Sequence, residues 1–187
     1  MKFVFFFLCL LFSGFLADAQ PKFSPIDKSP LDINYYPENY PLLKIQGKVT
    51  DPLLARIIYS RPQKNNRIVF GELIEYNKVW RLGANEATEI EFFQNVRIGN
   101  TKIKKGRYTL YCIPNADKWT FIVNKETDTW GSFLYDVKKD IVRQDAPIQK
   151  QTTPAESFSF IFEKTGGGFS LSAAWDSVKV SLPIHLQ

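Results

Sequence analysis

Histidine and cysteine are almost missing from this chain, and their scarcity removes most familiar catalytic designs. His185 is the single histidine, and Cys9 and Cys112 are the only cysteines. A Ser-His-Asp hydrolase would have to recruit His185 from beside the C-terminus. A zinc site built on several His or Cys ligands cannot be assembled from one histidine and one mature thiol. Nucleotide-binding loops are missing too. Gly166-Gly167-Gly168 is followed by neither Gly-Lys-Ser/Thr nor a helical pattern, so it reads as a hairpin loop rather than a phosphate cradle. Any catalysis would have to fall to carboxylates, Arg, Tyr, Lys or an oxygen-ligated metal, and no catalytic residue is assigned. Neither a cofactor nor a metal is implied by the spacing of possible ligands.

What is present begins with residues 1–19: Lys2, an apolar run from Phe3 to Leu16, then Ala17-Asp18-Ala19. This is the pattern of a secretory signal peptide with cleavage before Gln20. It is shorter than the roughly 20 apolar residues a membrane span needs. The mature protein is therefore expected to be periplasmic or extracellular, with no membrane span. Cleavage removes Cys9 and leaves Cys112 alone, so no internal disulfide is available and stability must come from the core. About 168 residues remain, enough for one domain that buries close to 70% of its unfolded surface. The formal net charge of +5 survives cleavage, because Lys2 and Asp18 leave together. The basic residues are interleaved with carboxylates, which reads as solvated surface and gives no nucleic-acid footprint.

Residues 20–41 carry Pro21, Pro25, Pro30, Pro37 and Pro41, and are expected to form an extended Pro-rich arm, with Tyr35, Tyr36 and Tyr40 able to lie against the domain. Residues 42–187 read as a single all-β domain. Phe158, Phe160 and Phe162 alternate with Ser157, Ser159, Ile161 and Glu163, a period of two that places three rings on one face of a strand. The same alternation runs through Trp119-Phe121-Val123, Val178-Val180-Leu182, Thr88-Ile90-Phe92 and Tyr108-Leu110-Cys112. Gly99-Asn100 marks a hairpin between residues 96–98 and 101–103, with Lys105-Gly106 and the glycine triplet punctuating later hairpins. One short helical piece is expected near Val69 to Val79. Many short strands with little helix indicate an antiparallel β-sandwich or jelly roll.

The densest polar and aromatic segment is Trp80-Arg81-Leu82-Gly83-Ala84-Asn85-Glu86-Ala87-Thr88, with Ile58-Tyr59-Ser60-Arg61-Pro62 upstream and Trp130-Gly131 downstream. Together with Val69-Phe70-Gly71, Gly106-x-Tyr108-x-Leu110 and Trp119-Thr120, this series resembles domain-of-unknown-function family 2911 from about Lys44 to Ile184. The resemblance implies an exported bacterial protein with a β-rich domain. It implies no activity and no catalytic residues.

Two readings of the segment follow from its chemistry. In the first, Trp80 plugs the core, Gly83-Ala84 turns the chain, Asn85 and Glu86 cap backbone groups, and Arg81 pairs with a carboxylate. In the second, Arg61, Arg81, Asn85 and Glu86 surround a cleft walled by Trp80 or Trp130, suited to an anion or a sugar ring. Three functions are compatible with this sequence. A noncatalytic binding or interaction module for a small molecule, glycan or envelope protein requires least. A carbohydrate or ester hydrolase would need Glu86 and a second carboxylate, with Asp136 and Asp140 as candidates that read better as surface loop residues. An envelope structural protein would dock through the Pro-rich arm, which could then be deleted without unfolding the domain.

Overall fold

The computed structural model describes residues 22–187, so the expected leader and the first two residues of the arm lie outside the described residues. The period-two segments become strands of two antiparallel sheets. In the first sheet the order is β1 (Leu31–Tyr36), β2 (Ala55–Ser60), β3 (Glu89–Phe92), β6 (Gly106–Pro114), β7 (Lys118–Asn124) and β8 (Asp140–Pro147). In the second it is β5 (Thr101–Ile103), β4 (Val96–Ile98), β10 (Gly168–Leu186) and β9 (Gln149–Thr165). The protein is an all-β sandwich.

Alternation decides which side chains fill it. Ile57, Ile90, Phe92, Leu110, Trp119, Phe121 and Val123 project inward from the six-stranded sheet. Phe158, Phe160, Phe169, Leu171, Val180 and Leu182 meet them from the other. The anticipated Phe158 and Phe160 rings pack edge to face at 5.0 Å, and Phe158 lies 5.9 Å from Trp175. Edge contacts of this kind add to the area that the rings remove from water.

The six-stranded sheet is also covered on its outer face. Ala87, Tyr111 and Ile122 are buried there beneath Val79, Ile113 and Tyr135. Two connections supply that cover, the run from Val79 to Ala87 and the loop joining β7 to β8. Tyr111 and Tyr135 meet edge to face at 5.2 Å, and the Tyr111 hydroxyl lies 3.1 Å from Thr129 Oγ1. The loop is thereby folded back onto the sheet.

Several local expectations change. Residues 69–79 are turns, not a helix, tied by Ile74 N–H to Val69 O (2.8 Å) and Gly71 N–H to Ile74 O (2.9 Å). The short helix α1 instead spans Tyr40–Ile45, with Pro41 in its first turn, where a missing N–H costs nothing. Gly99-Asn100 does connect the paired strands β4 and β5. Lys105-Gly106, by contrast, carries the chain from one sheet to the other, because β5 and β6 belong to different sheets. The glycine triplet turns β9 into β10, with Gly168 opposite Thr165. Within the Pro-rich arm, residues 31–36 are strand rather than tether, in register with β2 from Leu31 opposite Ser60 to Tyr36 opposite Ala55.

Candidate functional site

The chain enters the signature segment through a short bridge to β6. Trp80 N–H donates to Cys112 O (2.7 Å), and Cys112 N–H donates back to Trp80 O (2.9 Å). That exchange drives the Trp80 ring between the sheets, 5.6 Å from Trp119, 6.0 Å from Trp175 and 5.0 Å from Phe158. Its indole N–H donates to Gly83 O at 3.2 Å. Trp80 is therefore a core residue, only 5% exposed, and walls no cleft. Gly83 passes so near β2 that a Cβ there would stand 2.9 Å from Ser60 O, which explains a glycine at this point. Thr88 Oγ1 donates to Leu82 O at 2.5 Å and closes the turn.

Beyond Gly83, the segment is locked to the loop after β7. Asn85, with φ of 58°, offers its carbonyl to Gly131 N–H at 2.9 Å, and Ala87 N–H donates to Thr129 O at 3.0 Å. Glu86 and Trp130 are thereby paired across an antiparallel bridge. Residues directly opposite in such a pair place their side chains on the same face, with Cβ atoms roughly 5 Å apart. Both are exposed, Trp130 at 59%.

These two side chains stand at an open cleft of about 360 Å³. Its apolar wall is Leu31, Ile58, Ala87 and Trp130, and its acidic groups are Glu86, Glu89 and Asp128. A second hollow of about 340 Å³ adjoins it, shares Leu31, Glu86 and Trp130, and adds Ile26, Ser60 and Asn85. Two of the three carboxylates are already committed. Arg107 lies 3.3 Å from Glu89 Oε2 and 2.6 Å from Asp128 Oδ2, and Glu89 Oε1 accepts Asp128 N–H at 2.8 Å. The Thr127 hydroxyl and then Arg107 hold the Asp128 carboxyl below its usual range. Glu86 takes no part in a salt bridge among the described residues.

Arg61 belongs elsewhere. It sits at a larger cavity, about 690 Å³, along the seam between β1 and β9. Its Nη1 lies 3.0 Å from Asp32 Oδ2, Nη2 is 2.8 Å from Ser159 Oγ, and Nε is 3.3 Å from Phe158 O. The Tyr59 hydroxyl accepts Phe160 N–H at 3.1 Å, and burial raises its pKa. These groups stitch two sheet edges that share no backbone ladder. The larger cavity is thus the weaker candidate, because its guanidinium is occupied by structural partners.

Arg81 makes neither expected contact. No carboxylate among the described residues pairs with it, its buried Nε has no hydrogen-bond partner, and burial lowers its pKa. It lines none of these three cavities. Asp136 and Asp140 also lie away from the cleft. Asp136 caps a 3₁₀ turn by accepting Lys138 N–H at 2.9 Å. Asp140 is not a free loop residue, since it accepts from Tyr135 (2.6 Å), Arg143 (2.9 Å) and Asn124 (2.8 Å). Cys112 is fully buried, and that burial pushes its thiol well above the ordinary range. Among the described residues, no group of three or more His, Cys, Asp or Glu side chains is placed to hold a metal ion.

Of the six residues singled out from sequence, the structure brings Asn85, Glu86 and Trp130 together and separates Trp80, Arg61 and Arg81 from them. Leu31, Ile58, Glu89 and Asp128 were missed. Asp128 lies two residues before Trp130, and Glu89 is an outward position of the strand that follows the signature, so both were within reach of the pattern. Leu31 was hidden by its place in the Pro-rich arm.

Residues 41–184 match the family described as protein of unknown function (DUF2911), and the chain belongs to that family. No curated protein and no solved structure matches it.

Proposed function

We propose that this DUF2911 protein is an exported, noncatalytic binding module that seats a small hydroxylated ligand, such as a sugar unit of a glycan, in the Glu86–Trp130 cleft. The observation that carries the reading is the backbone bridge between those two residues. It presents an exposed aromatic face and an exposed carboxylate side by side on a fixed frame. A sugar ring offers C–H faces to an indole and hydroxyl donors to a carboxylate, so the pair matches both halves of its surface. The leader-like N-terminus supports an extracytoplasmic site for this work.

The hydrolase reading gains one observation, the gathering of Glu86, Glu89 and Asp128 around the cleft. It is the weaker reading because such a hydrolase needs two carboxyl groups facing the substrate, whereas Glu89 and Asp128 are both engaged by Arg107. The test is a thermal-unfolding screen against mono- and oligosaccharides, organic acids, phosphate and divalent ions. Binding to the native state raises the melting temperature by mass action. A saccharide shift abolished by Trp130→Ala and by Glu86→Gln supports the proposal. A shift with phosphate or organic acids alone would overturn it, and turnover of a bound glycoside would promote the hydrolase reading.

A further inference from the structure

The loop joining β7 to β8 holds a group of apolar side chains in water. Phe133 is 84% exposed, Leu134 81% and Val137 58%, within five residues of chain. Solvated rings normally belong to slack chain, yet this loop is anchored. Ser132 Oγ donates to Val79 O at 3.1 Å, Tyr135 N–H donates to Ser132 O at 3.2 Å, and Tyr135 packs on Tyr111 while donating to Asp140 at 2.6 Å. Gly131 turns the chain beneath Phe133 so closely that a Cβ there would stand 2.8 Å from the ring. The apolar tip is therefore held out by a rigid base.

Charge adds a further observation. Of the carboxylates in this loop, Glu126 pairs with Lys139, Asp128 pairs with Arg107 and Asp136 caps the 3₁₀ turn, whereas Lys125 and Lys138 are exposed at the base of the loop and form no salt bridge among the described residues.

We infer that this end of the sandwich is a membrane-surface contact, in which Phe133 and Leu134 enter the interfacial region of a bilayer carrying anionic phospholipid while Lys125 and Lys138 meet the headgroups. Adjacent exposed aromatic and aliphatic side chains at the tip of a loop, with unpaired lysines at its base, have the chemistry of an interfacial anchor. A protein–protein patch would instead have an apolar centre enclosed by a polar rim. No helix among the described residues is long and apolar enough to cross a membrane, so the contact is peripheral for that part of the chain. The inference is independent of the ligand cleft, since neither Phe133 nor Leu134 lines it.

The test is co-sedimentation of the exported protein with vesicles of phosphatidylcholine, with or without phosphatidylglycerol. The protein is expected to partition onto vesicles and more strongly onto those with phosphatidylglycerol. Replacing Phe133 and Leu134 together by Ser is expected to lower partitioning about tenfold or more, with an unchanged melting temperature because both side chains are solvent-exposed. Lys125→Ala with Lys138→Ala is expected to remove the preference for phosphatidylglycerol and leave the weaker binding to phosphatidylcholine. Absence of vesicle binding would overturn the inference, as would binding that the Phe133/Leu134 variant leaves unchanged. Self-association abolished by that variant, without vesicle binding, would also overturn it and assign the tip to a second copy of the chain.

Discussion

At the residue scale, the two tryptophans of the signature region have opposite roles. Trp80 sits among Trp119, Trp175, Phe158 and Phe70, and Trp130 stands in solvent. Trp80→Ala is expected to cost about 3–5 kcal/mol in chemical denaturation, the usual range for deleting a packed aromatic. Trp130→Ala is expected to stay within about 0.5 kcal/mol of the parent, as surface changes do. Tyr135 gives a pH signature. Burial, and then the hydrogen bond and charge of Asp140, push it up to about 12. A tyrosine in the unfolded chain titrates near 10. Between those values the folded state retains the proton that the unfolded state loses, so its contribution is intact below pH about 10 and disappears as pH rises to about 12. Tyr135→Phe is expected to shallow the alkaline decline of the melting temperature. Cys112 supplies a simple check on the core: its thiol is expected to resist a thiol reagent in the native protein and to react once denaturant is added.

At the element scale, β1 decides whether the N-terminal arm is dispensable. Its full register with β2, the Asp32–Arg61 pair and the stacking of Tyr36 on Phe169 at 4.5 Å make residues 31–36 part of the sandwich. Truncation through Pro41 is therefore expected to lower the melting temperature by about 5 °C or more, whereas removal of residues 22–28 is expected to leave it nearly unchanged. This reverses the expectation that the whole arm could be deleted from a folded domain. The difference has a physical origin. In β1 the apolar Leu31 and Ile33 face out, while the polar Asp32 and Asn34 turn toward β9, where Asn34 Nδ2 donates to Phe160 O. An edge strand with that inverted pattern does not announce itself by hydrophobic alternation. The central strands do, because Trp119, Phe121, Phe158 and Phe160 alternate against polar neighbours as their burial requires. The outer-face cluster was also hidden. Tyr111 and Ile122 occupy outward positions that alternation assigns to solvent, and they are covered there by Val79 and Tyr135, which belong to connections rather than to a second sheet. The helix expected at residues 69–79 does not form: Gly71 takes a positive φ of 98° and the chain closes through Ile74 N–H to Val69 O and Gly71 N–H to Ile74 O, neither of which is an α-helical bond.

At the scale of the whole molecule, the loop from β7 to β8 links the fold to both proposed activities. One part lies on the sheet through Tyr135 and Thr129, one part pairs Trp130 with Glu86, and its tip carries Phe133 and Leu134 into solvent. The ligand cleft was half legible in sequence. Glu86, Asn85 and Trp130 were identifiable as a polar-aromatic group, but only the long-range bridge between positions 86 and 130 shows which of the candidates share a cavity. Arg61 and Arg81 were indistinguishable from them in sequence because a guanidinium carries the same residue signal whether it staples a seam, as at Asp32 and Ser159, or faces a ligand. The most direct test of the central claim is isothermal titration of the protein with saccharides that stabilise it in the thermal screen, repeated on Glu86→Gln and Trp130→Ala. The account predicts saturable binding by the parent and a loss of about tenfold or more in each variant, equivalent to about 1.4 kcal/mol or more. Binding of equal affinity in parent and both variants would contradict it.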